Sequence, residues 1–221
     1  MTEEHDYDLV VVGGGPAGSS AAFSAAKNGI KVALIEKENS IAETVRTSGV
    51  TWIESIKEFG IPENCYNPIK NFSFVSPNNE VTITDPVATA AVLDVRKTYR
   101  WLADEAKKNG VDIFVKTNIN QVIKNEENDI VGVSGTGING NMIFHSKVII
   151  DATGFTSTIS KAMGFVTQWE RFGAGAEYEA KVENSDPETW WLMVGQEYTP
   201  AGYAWIFPLG NNIVRIGVGV G

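Results

Sequence analysis

Asp8-Leu9-Val10-Val11-Val12-Gly13-Gly14-Gly15-Pro16-Ala17-Gly18 is the stretch on which the fold turns. Its unbroken apolar run before the glycines reads as a strand buried on both faces, the habit of parallel sheets. Residues 17–28 are rich in alanine with apolar side chains at helical spacing, and Gly29 ends that helix. Residues 31–36 form a second strand, so the opening unit is β-α-β with the right-handed crossover that parallel strands use. Gly13-x-Gly15-x-x-Gly18 lies where strand passes into helix, the setting that gives an otherwise weak motif its meaning. The first glycine permits the tight turn, the second lets backbone approach a pyrophosphate, and the third lets helix and strand pack closely. The helix N-terminus then offers unpaired N–H groups and a positive dipole end to phosphate oxygens. Glu36 closes the second strand where an acid accepts hydrogen bonds from the ribose hydroxyls of an adenosine, and it disfavours a 2′-phosphate. The bland reading, a glycine-rich turn with a solvated acid, explains the complete pattern less well. The fingerprint does not choose between NAD and FAD.

Outward from this unit the chain is less regular. A helix is expected over 51–59, closed by Gly60 and Pro62, and a hairpin over 72–75 and 80–84 around Asn78-Asn79. Residues 95–109 have a helical pattern with Gly110 as C-cap. Short strands at 111–116, 121–124, 130–134 and 142–150 form a meander, which residues 151–154 interrupt. Alternation resumes over 173–182, 190–194, 203–208 and 213–220, the last two joined by Gly210-Asn211-Asn212. Tyr203, Trp205 and Phe207 project to one face of their strand and form an aromatic wall. Gly217 and Gly219 repeat the spacing on the next strand, either leaving room for a bulky ligand or making room for neighbouring aromatics.

With 43% hydrophobic and 20% charged residues in 221, the chain is a folded globular protein. A net charge of -9 and no basic patch exclude a nucleic-acid partner. The acidic, polar start is unlike a secretory signal, so a cytoplasmic location is expected, with membrane contact limited to the periphery. Cys65, the single cysteine, rules out an intramolecular disulfide and a cysteine-rich metal site. His5 and His145 lack partners at ligand spacing, so no metal is expected and both read as surface residues. For Trp190-Trp191, a lipid-facing rim competes with the plainer expectation that one packs and the other shields a sheet edge.

Gly13-Gly14-Gly15-Pro16-Ala17-Gly18 with Glu36-Lys37 resembles the flavoprotein version of the fold, in which FAD is held by segments spread along the chain. Asp94-Val95-Arg96 resembles the position where an arginine contacts the flavin cofactor, and Ile149-Ile150-Asp151-Ala152-Thr153-Gly154 resembles the second glycine motif. The most specific match is Tyr203-x-Trp205-x-Phe207-Pro208 with Gly217-x-Gly219, which resembles the signature of the geranylgeranyl reductase family. The resemblance implies an α/β fold: an FAD-binding Rossmann-like βαβ domain of the glutathione-reductase and hydroxybenzoate-hydroxylase type over 1–70 and 95–165. An antiparallel β substrate domain, incomplete, is implied over 71–94 and 166–221. It implies an FAD-dependent oxidoreductase that reduces carbon–carbon double bonds of geranylgeranyl chains in archaeal-type membrane lipid biosynthesis, fed by an unidentified electron donor.

The cofactor residues so implied are Gly13, Gly15, Pro16, Ala17, Gly18, Glu36, Lys37, Arg46, Thr47, Ser48, Val50, Arg96, Ile119 and Gly154. Tyr203, Trp205, Phe207, Pro208, Gly217 and Gly219 are implied to meet the isoprenoid lipid, and no catalytic residue is assigned. Thr47 stands where the family carries a cysteine, and Thr153 where it often carries Asp. Family members continue to a Gly-Asp segment beyond the last residue here, so the 221 residues alone are expected to bind FAD weakly or not at all and to leave strand 213–220 at an unpaired edge. Two other readings share these segments: a flavoprotein of the electron-transfer-flavoprotein–quinone oxidoreductase kind, and a non-catalytic module.

Overall fold

The computed structural model describes residues 2–165 and 170–221. The start of the second segment of the expected substrate domain, 166–169, lies outside them. In chain order, β1 (Thr2–Val12), α1 (Pro16–Lys27), β2 (Val32–Ile35), β3 (Val50–Trp52), α2 (Ile53–Phe59), β4 (Tyr66–Ile69) and β5 (Asn71–Ser76) come first. Next are β6 (Asn79–Thr84), β7 (Ala90–Leu93), α3 (Val95–Lys108), β8 (Asp112–Phe114), β9 (Asn118–Lys124), β10 (Ile130–Gly137) and β11 (Gly140–Asp151). The chain finishes with α4 (Thr158–Ala162), β12 (Ala174–Lys181), β13 (Thr189–Val194), β14 (Gly202–Gly210) and β15 (Ile213–Val220). Two compact units result, one of residues 1–45 and 99–168, the other of 46–98 and 169–221.

In the first unit the sheet runs β8-β2-β1-β11-β10-β9 among the described residues. Its β8, β2, β1 and β11 are parallel neighbours, while β10 and β9 are antiparallel additions. Period-two alternation sends Val10 and Val12 to one face, with Ile35, Val133 and Phe144. Leu9 and Val11 go to the other, with Leu34 and with Ala22 and Ala26 of α1. Both faces are covered, which is why the apolar run has no polar interruption. Each Val, Leu, Ile or Phe among them contributes about 1.5–3 kcal/mol when fully buried.

The first strand begins earlier than the sequence pattern suggests. β11 extends back to Gly140 through its hairpin with β10, and this supplies a parallel partner for β1 from Thr2 onward. His5 is therefore half-buried and not a fully solvated histidine. Its ring lies 5.2 Å from that of Phe144 and 5.1 Å from that of Phe114, with Nε2 buried. His145 does remain near the surface, 3.5 Å from Glu4.

In the second unit one sheet runs β12-β15-β14-β13-β5-β6 and a smaller one β3-β7-β4. The larger is antiparallel except where β13 meets β5. Three expectations change here. Thr51 and Trp52, expected to open the helix over 51–59, lie instead with Val50 in a strand, because Val50 and Trp52 pair with Val92 and Ala90. Helix α2 starts at Ile53 and ends at Gly60 in the left-handed conformation, φ 65°. Strand β15 is not an edge, because β12 pairs with it from Ala174↔Val220 to Lys181↔Ile213. Trp191 likewise shields no sheet edge, since β13 lies between β14 and β5, while Trp190 packs on Phe72 and Phe207. No helix among the described residues is long and apolar enough to cross a membrane.

Candidate functional site

The glycine turn between β1 and α1 is built from three different constraints. Gly13 has φ 109°, and a Cβ there would run into the Ala152 carbonyl. A Cβ on Gly18 would run into the Gly13 carbonyl, so this glycine sets how closely helix and strand pack. Gly15, by contrast, has ordinary extended backbone and faces open space, and a Cβ there would meet nothing within 4 Å. It is the N-cap of α1 and makes no side-chain cap; Pro16 follows at the first helical position, with Ala17 also exposed. Open space in front of an uncapped helix N-terminus is the arrangement a pyrophosphate fits.

Glu36 is tied to this turn directly. Its Oε2 accepts the Gly14 N–H at 2.7 Å and its Oε1 the Glu38 N–H at 2.9 Å. A carboxylate has about four lone-pair sites, so acceptor capacity remains for ribose hydroxyls. Gly14, given no role by the motif, is also required: a Cβ would meet Ile41 and the Glu36 side chain. Lys37 is exposed beside Glu36, and Ile119 is buried in the core, leaving only its backbone to reach a ligand.

The second glycine segment joins the first, since Ala152 N–H donates to the Val12 carbonyl at 2.8 Å. Asp151 organises the turn from Thr153 to Ser160. Its Oδ1 accepts the Thr153 hydroxyl at 2.6 Å, and its Oδ2 accepts the Ser160 N–H at 2.7 Å and hydroxyl at 2.8 Å. Thr153 Oγ1 in turn accepts the Thr158 N–H at 2.8 Å, so the departure from Asp at this position is used locally. Gly154 is exposed at φ 65° with open space around it.

Burial pushes the Asp151 carboxyl up, but the hydrogen bonds from Thr153 and Ser160 outweigh it and hold the group below the usual carboxylate range. Its stabilisation is therefore present above the ordinary carboxylate value and is lost as pH falls through the lowered one. Asp151→Asn should lower Tm at neutral pH, and the gap to wild type should begin to narrow below about pH 4 and close as pH falls through the lowered value. Thermal unfolding of both proteins across pH checks this; a gap independent of pH would contradict it.

In the second unit Arg46 and Thr47 are exposed and Ser48 and Val50 half-buried. Gly49 O accepts the Leu93 N–H at 2.8 Å, which sets this segment beside Asp94-Val95-Arg96. Asp94 Oδ1 accepts the Lys97 N–H at 3.0 Å, the reason α3 begins here, with Arg96 exposed on its first turn.

Tyr203, Trp205 and Phe207 do form a row on β14, with ring centroids 5.7 and 6.0 Å apart. The space above Gly217 is filled from within, however: a Cβ there would run into the Trp205 indole, which also lies over Gly219 and Gly175. Trp205 and Phe207 are core residues packed with Trp190 and Phe72, and Pro208 is buried too, while Tyr203 is 49% exposed. Tyr203 borders a shallow, open depression of ≈ 380 Å³ with Gly173, Ala201 and Gly202.

One residue escaped the sequence reading. Arg215 of β15 is 2% exposed, and its guanidinium donates to the Ser48 carbonyl at 2.6 Å, to the Leu93 carbonyl at 3.4 Å and to Glu179 Oε1 at 2.7 Å. Its Nε lies 4.0 Å from Glu177 Oε1. Burial pushes the Glu177 carboxyl up, against the pull of Arg215. The Trp205 N–H is near enough to draw Glu177 down slightly, yet neither it nor Glu177 Oε2 makes an aligned hydrogen bond. The available signal was a charge at an inward position of an alternating strand, in phase with Gly217 and Gly219.

A largely parallel sheet whose glycine turn, acid and second glycine segment converge on one helix N-terminus defines a dinucleotide-binding domain. The chain belongs to the FAD-dependent oxidoreductase family, whose model matches residues 8–185, and FAD is the cofactor. Residues 173–221 match the geranylgeranyl reductase catalytic domain. Over 228 residues the chain is 36% identical to the digeranylgeranylglycerophospholipid reductase of Methanocaldococcus jannaschii, covering 100% of this chain and 57% of that protein. It is 32% identical to digeranylgeranylglycerophospholipid reductase 1 of Methanococcoides burtonii, covering 97% and 54%. The crystal structure of a geranylgeranyl bacteriochlorophyll reductase-like protein from Thermoplasma acidophilum superposes with TM-score 0.88 at 29% identity, over 98% of this chain and 57% of that one. The chain thus spans a little over half the length of the relatives it matches.

Proposed function

We propose that this chain carries the cofactor portion and part of the lipid-binding portion of a reductase that saturates carbon–carbon double bonds in geranylgeranyl groups of a glycerophospholipid. The observation that carries the reading is a coincidence: the stretch matching the geranylgeranyl reductase catalytic domain, 173–221, contains the row Tyr203, Trp205 and Phe207. When bound and reduced, FAD would supply the hydride for such a saturation, the second hydrogen would arrive as a proton, and a donor of two electrons outside this chain would restore the reduced flavin.

The protein's own contribution is to hold and to shape. The α1 N-terminus and Gly15 receive the pyrophosphate, with Pro16, Ala17, Gly13 and Gly18 forming the turn, and Glu36 receives the adenosine ribose. Lys37, Gly154 and the Ile119 backbone add to that end, and Arg46, Thr47, Ser48, Val50 and Arg96 to the flavin end. Tyr203 offers its exposed ring to a prenyl chain, while Trp205, Phe207, Pro208, Gly217 and Gly219 form the packed layer that supports it. Contact with lipid would then be peripheral to the membrane.

The test uses the full-length protein purified with FAD, reduced by dithionite without oxygen and mixed with a digeranylgeranyl glycerophospholipid. Flavin reoxidation matched by a gain of two hydrogens per double bond in the lipid's mass supports the reading. Reoxidation by quinones with unchanged lipid would overturn it in favour of quinone reduction.

A further inference from the structure

The buried arginine of β15 has no place in the function proposed so far. A guanidinium that is 2% exposed requires partners, because a buried charge left uncompensated is costly. Two of its partners are carboxylates on the neighbouring strand β12, Glu179 at 2.7 Å and Glu177 at 4.0 Å. Ordinary strand pairing places both beside it: Glu179 is directly opposite Arg215, and Glu177 is opposite Gly217. The other two are main-chain carbonyls from separate parts of the chain, Ser48 and Leu93. Those carbonyls belong to the segments 46–50 and 93–96, from which the flavin end of the proposed site draws Arg46, Thr47, Ser48, Val50 and Arg96.

Gly49 shows how tightly the three pieces are assembled. It has φ 77°, and a Cβ there would lie 3.0 Å from Arg215 Nη1 and 3.0 Å from the Leu93 carbonyl oxygen. The backbone bond from Leu93 N–H to Gly49 O closes the same junction from the other side. Nη1 donates to both backbone carbonyls while Nη2 donates to Glu179, so two rigidly held nitrogens join the carbonyls to β12, a geometry that the single nitrogen of a flexible ammonium does not reproduce.

We infer that Arg215 is a positioning residue for the flavin end of the cofactor site, setting the spacing of the Ser48–Gly49 and Leu93–Arg96 segments, with Glu179 holding its guanidinium in orientation. The inference rests on the cofactor reading given above. It predicts that losing the fork changes the surroundings of the flavin, and not only the strength of the fold.

The experiment uses the full-length protein stripped of FAD, in wild-type form and as Arg215→Met, Arg215→Lys and Glu179→Gln. Three quantities are measured: FAD Kd by fluorescence quenching, the flavin's absorption spectrum and midpoint potential at saturation, and amide hydrogen exchange over 48–50 and 93–96 without FAD. Arg215→Met should weaken FAD about tenfold or more, shift the spectrum and potential, and speed exchange in both segments. Arg215→Lys, which keeps the charge but only one donor nitrogen, should recover part of each effect, and Glu179→Gln should give a smaller shift in the same direction. If Arg215→Met does not fold, the other two variants carry the same comparison. Unchanged potential and exchange in folded variants overturn the inference, even if Tm falls. A wild-type protein that takes up no FAD overturns the cofactor reading and the flavin half of this inference. The exchange measurement then decides whether Arg215 holds the two segments together.

Discussion

Gly15→Val should abolish FAD uptake while leaving the apo-protein's Tm close to wild type. The residue's backbone is extended, φ -70° and ψ -175°, a conformation open to any amino acid. A Cβ placed there has no protein atom within 4 Å beyond its chain neighbours, so the added branch starts in open space. It instead fills the space before the uncapped N-terminus of α1, where the pyrophosphate must come within hydrogen-bond distance of backbone. Loss of that approach should weaken binding by about two orders of magnitude or more, or roughly 3 kcal/mol. Gly13→Ala and Gly18→Ala differ in kind, because their side chains would strike the backbone at Ala152 and Gly13. Those variants should lose stability as well as FAD. Apo-protein melting and FAD titration of the three variants separate the cases, and a Gly15→Val protein with wild-type affinity would remove Gly15 from the phosphate site.

The second large effect concerns the interior of β14 and β15. Trp205→Ala should destabilise the protein by about 3–5 kcal/mol, because it empties a core position packed by Phe207, Trp190 and Phe72. Gly217→Ala should cost about 1–3 kcal/mol by forcing the indole from its place. The double variant should be less destabilised than the two singles added together, since the new methyl enters space that the indole has left. Urea unfolding of the four proteins measures the coupling. Strict additivity would mean that Gly217 and Trp205 do not share this space, reopening the reading in which the glycine leaves room for a ligand. Because the indole is a core residue, its effect on lipid reduction can be judged only after allowing for lost stability. Tyr203, half in solvent, is the cleaner probe of substrate contact.

The βαβ unit, its glycine turn and Glu36 were determined by the sequence alone, because local physics decides them. An apolar run of strand length, glycines at fixed offsets and an alanine-rich helix closed by Gly29 leave few ways to fold. Helix α3 and the β14–β15 hairpin were legible for the same reason, with Asp94 as cap and Asn211 and Asn212 at φ 53° and 60° in the turn.

Tertiary structure decided the features that depend on a partner distant in sequence. Thr2 to Asp6 became strand only because β11 reaches back to pair with them, which drew His5 into a cluster of rings. Thr51 and Trp52 became strand because β7 offered an edge, although the pattern over 51–59 suited a helix. The Trp205 indole took the space over Gly217 because the two are directly paired across β14 and β15, a register that spacing within one strand cannot reveal. Arg215 is the clearest case. Its partners Ser48, Leu93, Glu177 and Glu179 lie between 36 and 167 residues away, and a charge buried among apolar neighbours acquires a role only once the fold has delivered the groups that compensate it.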